Sequence, residues 1–227
     1  MVGKGAVLNV SAEPPVGDAR TEVLARIRSA LGADPRVPDV VRGHRTRGEH
    51  PPGSAPLLQL LADRLVDYTA GVHLCTADGL AATLAEVLDH VAPDGLVVVP
   101  AGLPHEWIEG RDVLRDDGTA STQDLDSVAA VVTGCAAAVA ETGTLILDGG
   151  LGQGRRALTL VPDVHVCVVR ADQVVQTVPE GVARLDPVRP QTWISGPSAT
   201  SDIELQRVEG VHGPRTLEVV VVVPRSG

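Results

Sequence analysis

Val72-His73-Leu74-Cys75 and Leu96-Val97-Val98-Val99-Pro100 are the two stretches that decide the fold, because a helix is predicted between them. The second stretch has the composition of a strand that is buried on both faces. The intervening residues repeat apolar side chains at helical spacing, namely Leu80, Leu84, Val87, Leu88 and Val91. A strand, a helix and a strand in this order predict a right-handed parallel unit.

Further apolar runs predict strands that extend this unit, at residues 129–133, 165–169, 192–194 and 217–223. The last run is almost entirely valine, so we expect it inside the sheet, because an exposed edge of this kind would aggregate. About six strands with interleaved helices predict a three-layer α/β/α domain with a mostly parallel sheet. Residues 172–178 and 180–185 are predicted to be helical.

The N-terminal part of the chain has a different composition. A helix is predicted at residues 18–31, with Leu24, Ile27 and Leu31 on one face and Gly32 at its end. Residues 33–56 contain five prolines and predict a long linker or an arm wrapped over the surface, with an arm that orders on a partner as the further alternative. A second helix is predicted at residues 56–68. We therefore predict a tail, helix and linker at residues 1–55 and an α/β domain at residues 56–227.

Composition excludes several classes of function. The net charge of −10 at pH 7 opposes binding to nucleic acid and to anionic membranes. Aromatic residues make up 1% of the chain, so stacking platforms for bases or flavins are nearly absent. No stretch is long enough to span a membrane and no apolar signal core follows Met1. We therefore expect a cytoplasmic protein.

Common catalytic and metal-binding signatures are absent from the sequence. The three cysteines, Cys75, Cys135 and Cys167, are far apart, and an odd number of cysteines suits a reducing compartment. There is no His-Glu-x-x-His, no Gly-x-Ser-x-Gly and no set of Cys and His residues with zinc spacing. We predict no metal site. The glycines at 149, 150, 152 and 154 do not form a nucleotide-binding motif and predict a flexible loop before Arg155 and Arg156.

Three polar patches are the candidate sites. The first patch, Glu141-Thr142-Gly143-Thr144, lies between two apolar segments. It is either a turn whose Glu141 pairs with an arginine, or a ligand clamp. In the clamp, Gly143 allows close approach of the backbone and the threonine hydroxyls donate hydrogen bonds.

The second patch spans residues 195–204 and follows the strand at 192–194. Gly196 and Pro197 bend the chain, and the polar side chains are those of Ser195, Ser198, Asp202 and Glu204, among others. Such a loop suits a carboxylate or phosphate ligand. The alternative is a Ser/Thr-rich turn that caps a helix beginning near Asp202.

The third patch is His212-Gly213-Pro214-Arg215. It is either a rigid turn into the last strand, or a site where His212 transfers a proton or binds substrate and Arg215 binds a carboxylate. Ligands of α/β sheets gather beyond the strand ends. If the three patches lie at one end of the sheet, they form a single pocket.

These patches carry a family resemblance. The stretches Ala140-Glu141-Thr142-Gly143-Thr144-Leu145, Pro162-Asp163-Val164-His165-Val166, Ile194-Ser195-Gly196-Pro197-Ser198 with Asp202-Ile203-Glu204, and Gly210-Val211-His212-Gly213-Pro214-Arg215 resemble the LutC/YkgG family in the same order. This family has the lactate-utilisation (LUD) domain, and the likeness covers roughly residues 56–223. One departure is Ala199, where the family usually has arginine. Arg155, Arg156 or Arg215 are the candidates to replace it.

The resemblance implies a fold similar to the NagB/RpiA/CoA-transferase group. It also implies a non-redox subunit that takes part in oxidation of L-lactate to pyruvate, with iron–sulfur clusters held by partner proteins and none in this chain. The basic arm containing Arg36, Arg42, Arg45 and Arg47 is a candidate to dock such a partner. The alternative is a stand-alone enzyme of the same fold that binds a small molecule or transfers an acyl or phosphoryl group.

Overall fold

The computed structural model describes residues 19–33, 35, 38–201, 207–209 and 213–225, with the backbone alone at 199–201 and 207–209. The chain divides into two units, Met1–His44 and Arg45–Gly227. The first unit contains helix α1 (Ala19–Leu31), which confirms the predicted helix, although Asp18 lies outside the described residues. Gly32 follows with a positive φ of 75° and ends the helix. No side chain of α1 is buried.

The second unit alternates strands and helices along its first half. Helix α2 (Ala55–Asp67) is followed by β1 (Gly71–Thr76), α3 (Leu80–Val91), β2 (Val97–Pro100) and β3 (Val113–Asp116). Helix α4 (Thr122–Asp126) precedes β4 (Ala130–Gly134). The strand–helix–strand unit that was predicted from residues 72–100 is confirmed.

The second half adds two excursions from the main sheet. Strands β5 (Ala137–Val139) and β6 (Thr144–Leu147) precede β7 (Val164–Arg170), β8 (Val174–Val175) and helix α5 (Val178–Val182). Strand β9 (Thr192–Ile194) is followed by β10 (Ala199–Ser201), β11 (Arg207–Glu209) and β12 (Thr216–Val223).

The main sheet of the described residues has six parallel strands in the order β1-β12-β7-β4-β2-β3. Strand β12 lies between β1 and β7, which confirms the interior position predicted for the valine-rich run. A smaller sheet has the order β8-β5-β6-β9, with β6 antiparallel to both neighbours. Strands β10 and β11 form an antiparallel pair.

The two faces of the main sheet are covered differently. Helix α3 covers one face, where Leu84 and Leu88 pack against valines of β2, β4 and β7. Helix α2 and the small sheet cover the other face, where Leu57, Leu61 and Leu65 are fully buried. These layers confirm a three-layer α/β fold whose third layer combines a helix with a sheet. No helix within the described ranges has the length and apolar character needed to cross a membrane.

Two local predictions were wrong. Residues 172–178, predicted to be helical, contain the end of a short 3-10 turn (Ala171–Gln173) and then β8, because Val174 and Val175 pair with β5. Residues 199–201, predicted as part of a loop, form β10.

Candidate functional site

The first and second patches meet through their hydroxyl groups. Strands β6 and β9 are antiparallel, and Leu145 is paired with Ile194. Thr144, which precedes Leu145, therefore lies opposite Ser195, which follows Ile194. The Oγ atoms of Thr144 and Ser195 lie 2.8 Å apart, and Thr142 Oγ1 lies 2.7 Å from Thr144 Oγ1. Strand pairing thus joins two motifs that are 51 residues apart in the chain.

The second and third patches meet through the backbone. The amide of Ser198 donates a hydrogen bond of 2.7 Å to the carbonyl of Pro214. A Cβ built on Gly213 would lie 3.7 Å from Ser198 Cβ, so the two loops are in close contact. Asp202, Glu204 and His212 lie outside the described residues.

Glu141 is bonded to residues outside the three patches. Arg45 donates to its Oε1 over 2.7 Å, and Gln176 Nε2 donates to the same oxygen over 3.0 Å. The Arg45 guanidinium holds the pKa of the Glu141 carboxyl below its usual value. Gln176 also binds residues 49–50, because the backbone amides of both donate hydrogen bonds to its Oε1. Glu141 therefore holds the segment that begins at Arg45 against the α/β unit. This is the pairing with an arginine that the first alternative, a turn, predicted.

The two patch glycines pack against the end of helix α2. Gly143 has a φ of 58°, and a Cβ placed on it would lie 3.0 Å from Arg64 Cβ. Gly196 has a φ of 85°, and its Cβ would lie 2.7 Å from Tyr68 Cβ. Both glycines are needed because a helix approaches the backbone closely, and the left-handed φ disfavours any other residue.

A cavity of about 240 Å³ lies where the second and third patches meet, and we call it the smaller cavity. Three residues of the predicted site line this cavity, namely Ser195, Gly196 and Ser198. Other segments contribute Arg156, Thr159, His165 and Trp193. Its floor is near the start of β7 and β12, where His165 and Leu217 are paired in register.

His165 is the buried polar group of the smaller cavity. Its ring is fully buried, and its Nε2 lies 2.7 Å from Thr133 Oγ1. Its Nδ1 has no hydrogen-bond partner among the described residues. Burial lowers the pKa of His165 to about 4, so the imidazole is neutral at physiological pH. A neutral imidazole can donate from one nitrogen and accept at the other.

A cavity of about 470 Å³ adjoins the first one, and we call it the larger cavity. It lies beyond the carboxyl ends of β2 and β3, at Ala101 and at residues 116–118. Strands β2 and β4 are neighbours in the main sheet. The next main-sheet strand after β2 is β3 and the next after β4 is β7, and these two lie on opposite sides of the β2–β4 pair. The cavity is therefore at a topological switch point. This is where open α/β sheets bind ligands.

The glycine loop at residues 149–154 forms one wall of the larger cavity. Gly152 accepts a hydrogen bond of 2.7 Å from the amide of Gly134 and donates one of 3.0 Å to Ala101. Gln153 is buried, and its Oε1 accepts from the amide of Asp148 over 2.6 Å. The loop, which was predicted to be flexible, is therefore held across the ends of β2 and β4 by these bonds.

The adjacent arginines Arg155 and Arg156 have different surroundings. Arg155 makes two hydrogen bonds to the buried carboxylate of Asp116, from Nε over 2.9 Å and from Nη2 over 3.0 Å. Arg156 lines both cavities, and its side chain makes no hydrogen bond or ion pair with any other described residue. Arg215 pairs with Asp163, both are exposed, and neither lines the cavities described above. We call the two adjoining cavities together the cleft. Of the three arginines proposed from the sequence, Arg156 is therefore the one whose side chain is available to a ligand in the cleft.

The cysteines do not form a ligand set. Cys135 and Cys167 are buried on the face under α2, whereas Cys75 lies on the face under α3. Contact with Cys167 and burial raise the pKa of the Cys135 thiol, and burial raises the pKa of Cys75. No group of three or more His, Cys, Asp or Glu residues in the described part of the chain has the geometry to hold a metal ion.

Sequence reasoning missed His165 and Thr159 as residues of the cleft. His165 is embedded in an apolar run, Val164-His165-Val166-Cys167, which predicts a strand and gives no sign of a site. The available signal was the polar residue itself, because a histidine in a strand buried on both faces needs a partner or a function. Thr133, in the middle of another buried strand, gives the same signal.

The fold and the cleft define a parallel α/β protein that carries a polar cavity beside its central strands. The chain belongs to the LUD domain family, whose model matches residues 62–222. A protein of Deinococcus radiodurans called Lactate utilization protein C is 48% identical over 217 residues, which cover 92% of this chain and 98% of that protein. A protein of the same name from Anoxybacillus flavithermus is 24% identical, covering 89% and 98% of the two chains.

A solved structure has the same fold. The crystal structure of a DUF162 family protein from Deinococcus radiodurans is 47% identical and superimposes with a TM-score of 0.63. The match covers 74% of this chain and 97% of that one. The α/β architecture described above is therefore also found in a crystal structure of a similar protein, which supports the resemblance inferred from the motifs.

Proposed function

We propose that this chain is a LutC-like subunit that takes part in the oxidation of L-lactate to pyruvate together with iron–sulfur partner proteins. The observation that carries the proposal is the 48% identity to a Lactate utilization protein C over 98% of that protein's length. The chain is proposed to act as a non-redox subunit in the cytoplasm of a bacterium.

The reaction needs an electron acceptor. Conversion of a secondary alcohol to a ketone releases two electrons and two protons, and we propose that the partners' clusters take up the electrons. Iron–sulfur clusters are held by several cysteine thiolates that converge on one centre. In this chain the cysteines are buried, and Cys75 is on the opposite face of the sheet from Cys135 and Cys167. These residues do not fit a cluster, so the proposal places the clusters in the partners.

The cleft supports a small anionic ligand. Arg156 supplies a guanidinium without a partner among the described residues, and Ser195 and Thr159 supply hydroxyls. A guanidinium binds a carboxylate through two parallel hydrogen bonds, and such bonds are stronger than those between neutral groups. Lactate and pyruvate are both short carboxylates.

The test is reconstitution with the partner subunits. The complex is assembled with and without this chain, and lactate-dependent reduction of a dye is measured under anaerobic conditions. We expect the rate to fall to background when the chain is omitted, and to return when it is added back. The chain alone should reduce no dye. Full activity in a complex that lacks the chain would contradict the proposal.

A second candidate function is a stand-alone enzyme that transfers an acyl or phosphoryl group. The observation that favours it is the larger cavity, whose volume of about 470 Å³ exceeds what a three-carbon acid fills. Its glycine loop lets a bulky ligand approach the backbone closely. Turnover of an acyl or phosphoryl donor by the isolated chain would favour this candidate over the first.

A further inference from the structure

Arg156 determines the charge of a ligand in the smaller cavity. It is the one charged side chain among the described residues that line this cavity, since His165 is neutral there. The remaining polar lining consists of hydroxyls and an amide, namely Thr159, Gln191, Thr192, Ser195 and Ser198. A single cation surrounded by neutral donors favours a ligand with one negative charge.

His165 also lines this cavity and adds a second requirement. The Nδ1 atom has no partner among the described residues, although the ring is fully buried. An unsatisfied buried polar atom is costly, so a ligand that bonds to it gains affinity. If Thr133 donates its hydroxyl to Nε2, the proton of the neutral ring is on Nδ1, which then donates to an oxygen.

The size and the apolar part of the lining limit the rest of the ligand. At about 240 Å³ the smaller cavity is below the usual range for drug-sized ligands. Leu160, Trp193 and Leu217 provide the apolar contacts. These walls suit a methyl or other short alkyl group.

We infer that the smaller cavity binds a short monocarboxylate with an oxygen on its α-carbon, the carboxylate on Arg156 and the α-oxygen on Nδ1–H of His165. This inference rests on the proposed function and assigns its substrate site, in which Arg156 anchors the acid and His165 selects for the α-oxygen.

The test compares three acids that differ at the α-carbon. Full-length protein with ¹⁵N-labelled histidines is titrated with pyruvate, L-lactate and propionate, and the His165 resonances are assigned from the His165→Gln spectrum. We expect pyruvate and L-lactate to bind and to shift the Nδ1 resonance of His165. Propionate, which lacks the α-oxygen, should bind about tenfold more weakly and leave Nδ1 unshifted. Equal affinity for pyruvate and propionate would overturn the role of His165.

Two variants test the anchor. Arg156→Gln should reduce the affinity for all three acids at least tenfold. Arg170→Gln is the matched control, because Arg170 pairs with Asp172 at the surface and does not line the cavity. It should bind like the wild type. Unchanged binding by Arg156→Gln would overturn the assignment of the carboxylate to that residue.

This result is separable from the proposed function. Binding is measured on the chain alone and requires no partner or electron acceptor. If the complex needs the chain for lactate oxidation but no acid binds in the titration, the site assignment fails and the proposed function stands. If the acids bind as expected but the complex is active without the chain, the proposed function fails.

Discussion

The hydroxyls of Thr144 and Ser195 lie 2.8 Å apart and join two segments that are 51 residues apart in the sequence. Thr144 also lies 2.7 Å from Thr142 Oγ1, so its hydroxyl is the middle member of a chain of three. The residue is 5% exposed, and water cannot readily replace its bonds. The contact holds the start of β6 beside the loop that lines the smaller cavity.

The first prediction concerns this hydroxyl chain. Thr144→Val keeps the shape of the side chain but removes the central hydroxyl, and should lower the free energy of unfolding by about 1 kcal/mol. The measurement is urea denaturation followed by circular dichroism. Thr144→Ser retains the hydroxyl and is the control for the hydrogen bonds. An equal loss in both variants would mean that the methyl group, rather than the hydroxyl, stabilises the contact.

The second prediction separates the two neighbouring arginines. Asp116 is buried and Arg155 is its bidentate partner, so Asp116→Asn should lower the free energy of unfolding by about 2–3 kcal/mol. This loss is smaller than that expected for a fully buried ion pair, because the Arg155 side chain is 36% exposed to solvent. Arg156→Gln, at an exposed position without a described partner, should change it by less than about 0.5 kcal/mol. Similar losses in the two variants would contradict the different roles assigned to Arg155 and Arg156.

The third prediction concerns the contact between Gly196 and helix α2. An alanine at position 196 adds a Cβ that lies 2.7 Å from Tyr68 Cβ, in addition to the cost of a positive φ. Gly110 has a φ of 82°, close to the 85° of Gly196, and nothing lies within 4 Å of its Cβ position. Gly196→Ala should therefore cost about 1–3 kcal/mol more than Gly110→Ala in thermal or urea unfolding. Equal costs would show that the helix moves away without penalty.

The fourth prediction is a pH dependence of stability. The pKa of His165 is about 4 in the folded protein, below its ordinary value of 6.5, so the unfolded chain binds the proton more readily between these values. The free energy of unfolding should then fall as the pH is lowered, by about 2 kcal/mol between pH 7 and pH 5. His165→Gln lacks this titration and should show a flatter profile over that interval. Parallel profiles for the two proteins would contradict the burial of a neutral ring.

The main sheet could be predicted because its strands carry their own signal. The valine run of β12 has no polar residue between Val219 and Val223, and only a strand with neighbours on both sides accommodates it. In the small sheet only the strand at residues 192–194 was predicted, and its place beside β6 rather than in the main sheet was not. Its strands are two to four residues long, and β8 is only Val174–Val175, so their pairing depends on tertiary contacts.

The candidate site was predicted in part for a similar reason. Local sequence identified the segments containing Thr144, Ser195 and Ser198, and the structure brings these segments together. It could not distinguish Arg155 from Arg156, because the difference depends on Asp116, which is 39 residues away. The predicted domain boundary after residue 55 remains untested, although residues 45–50 are bonded to the α/β unit through Glu141 and Gln176.

The position of β12 has a consequence for how the protein is made in the cell. It is the last strand that the structure describes, yet it fills the gap between β1 and β7. During synthesis, β1 and β7 leave the ribosome first and present unpaired edges toward each other until residues 216–223 follow. A nascent chain that stalls before this point holds two open edges that can pair with other chains. The main sheet therefore cannot be completed before residues 216–223 have been synthesised, and chaperones have most reason to act on this chain before that point.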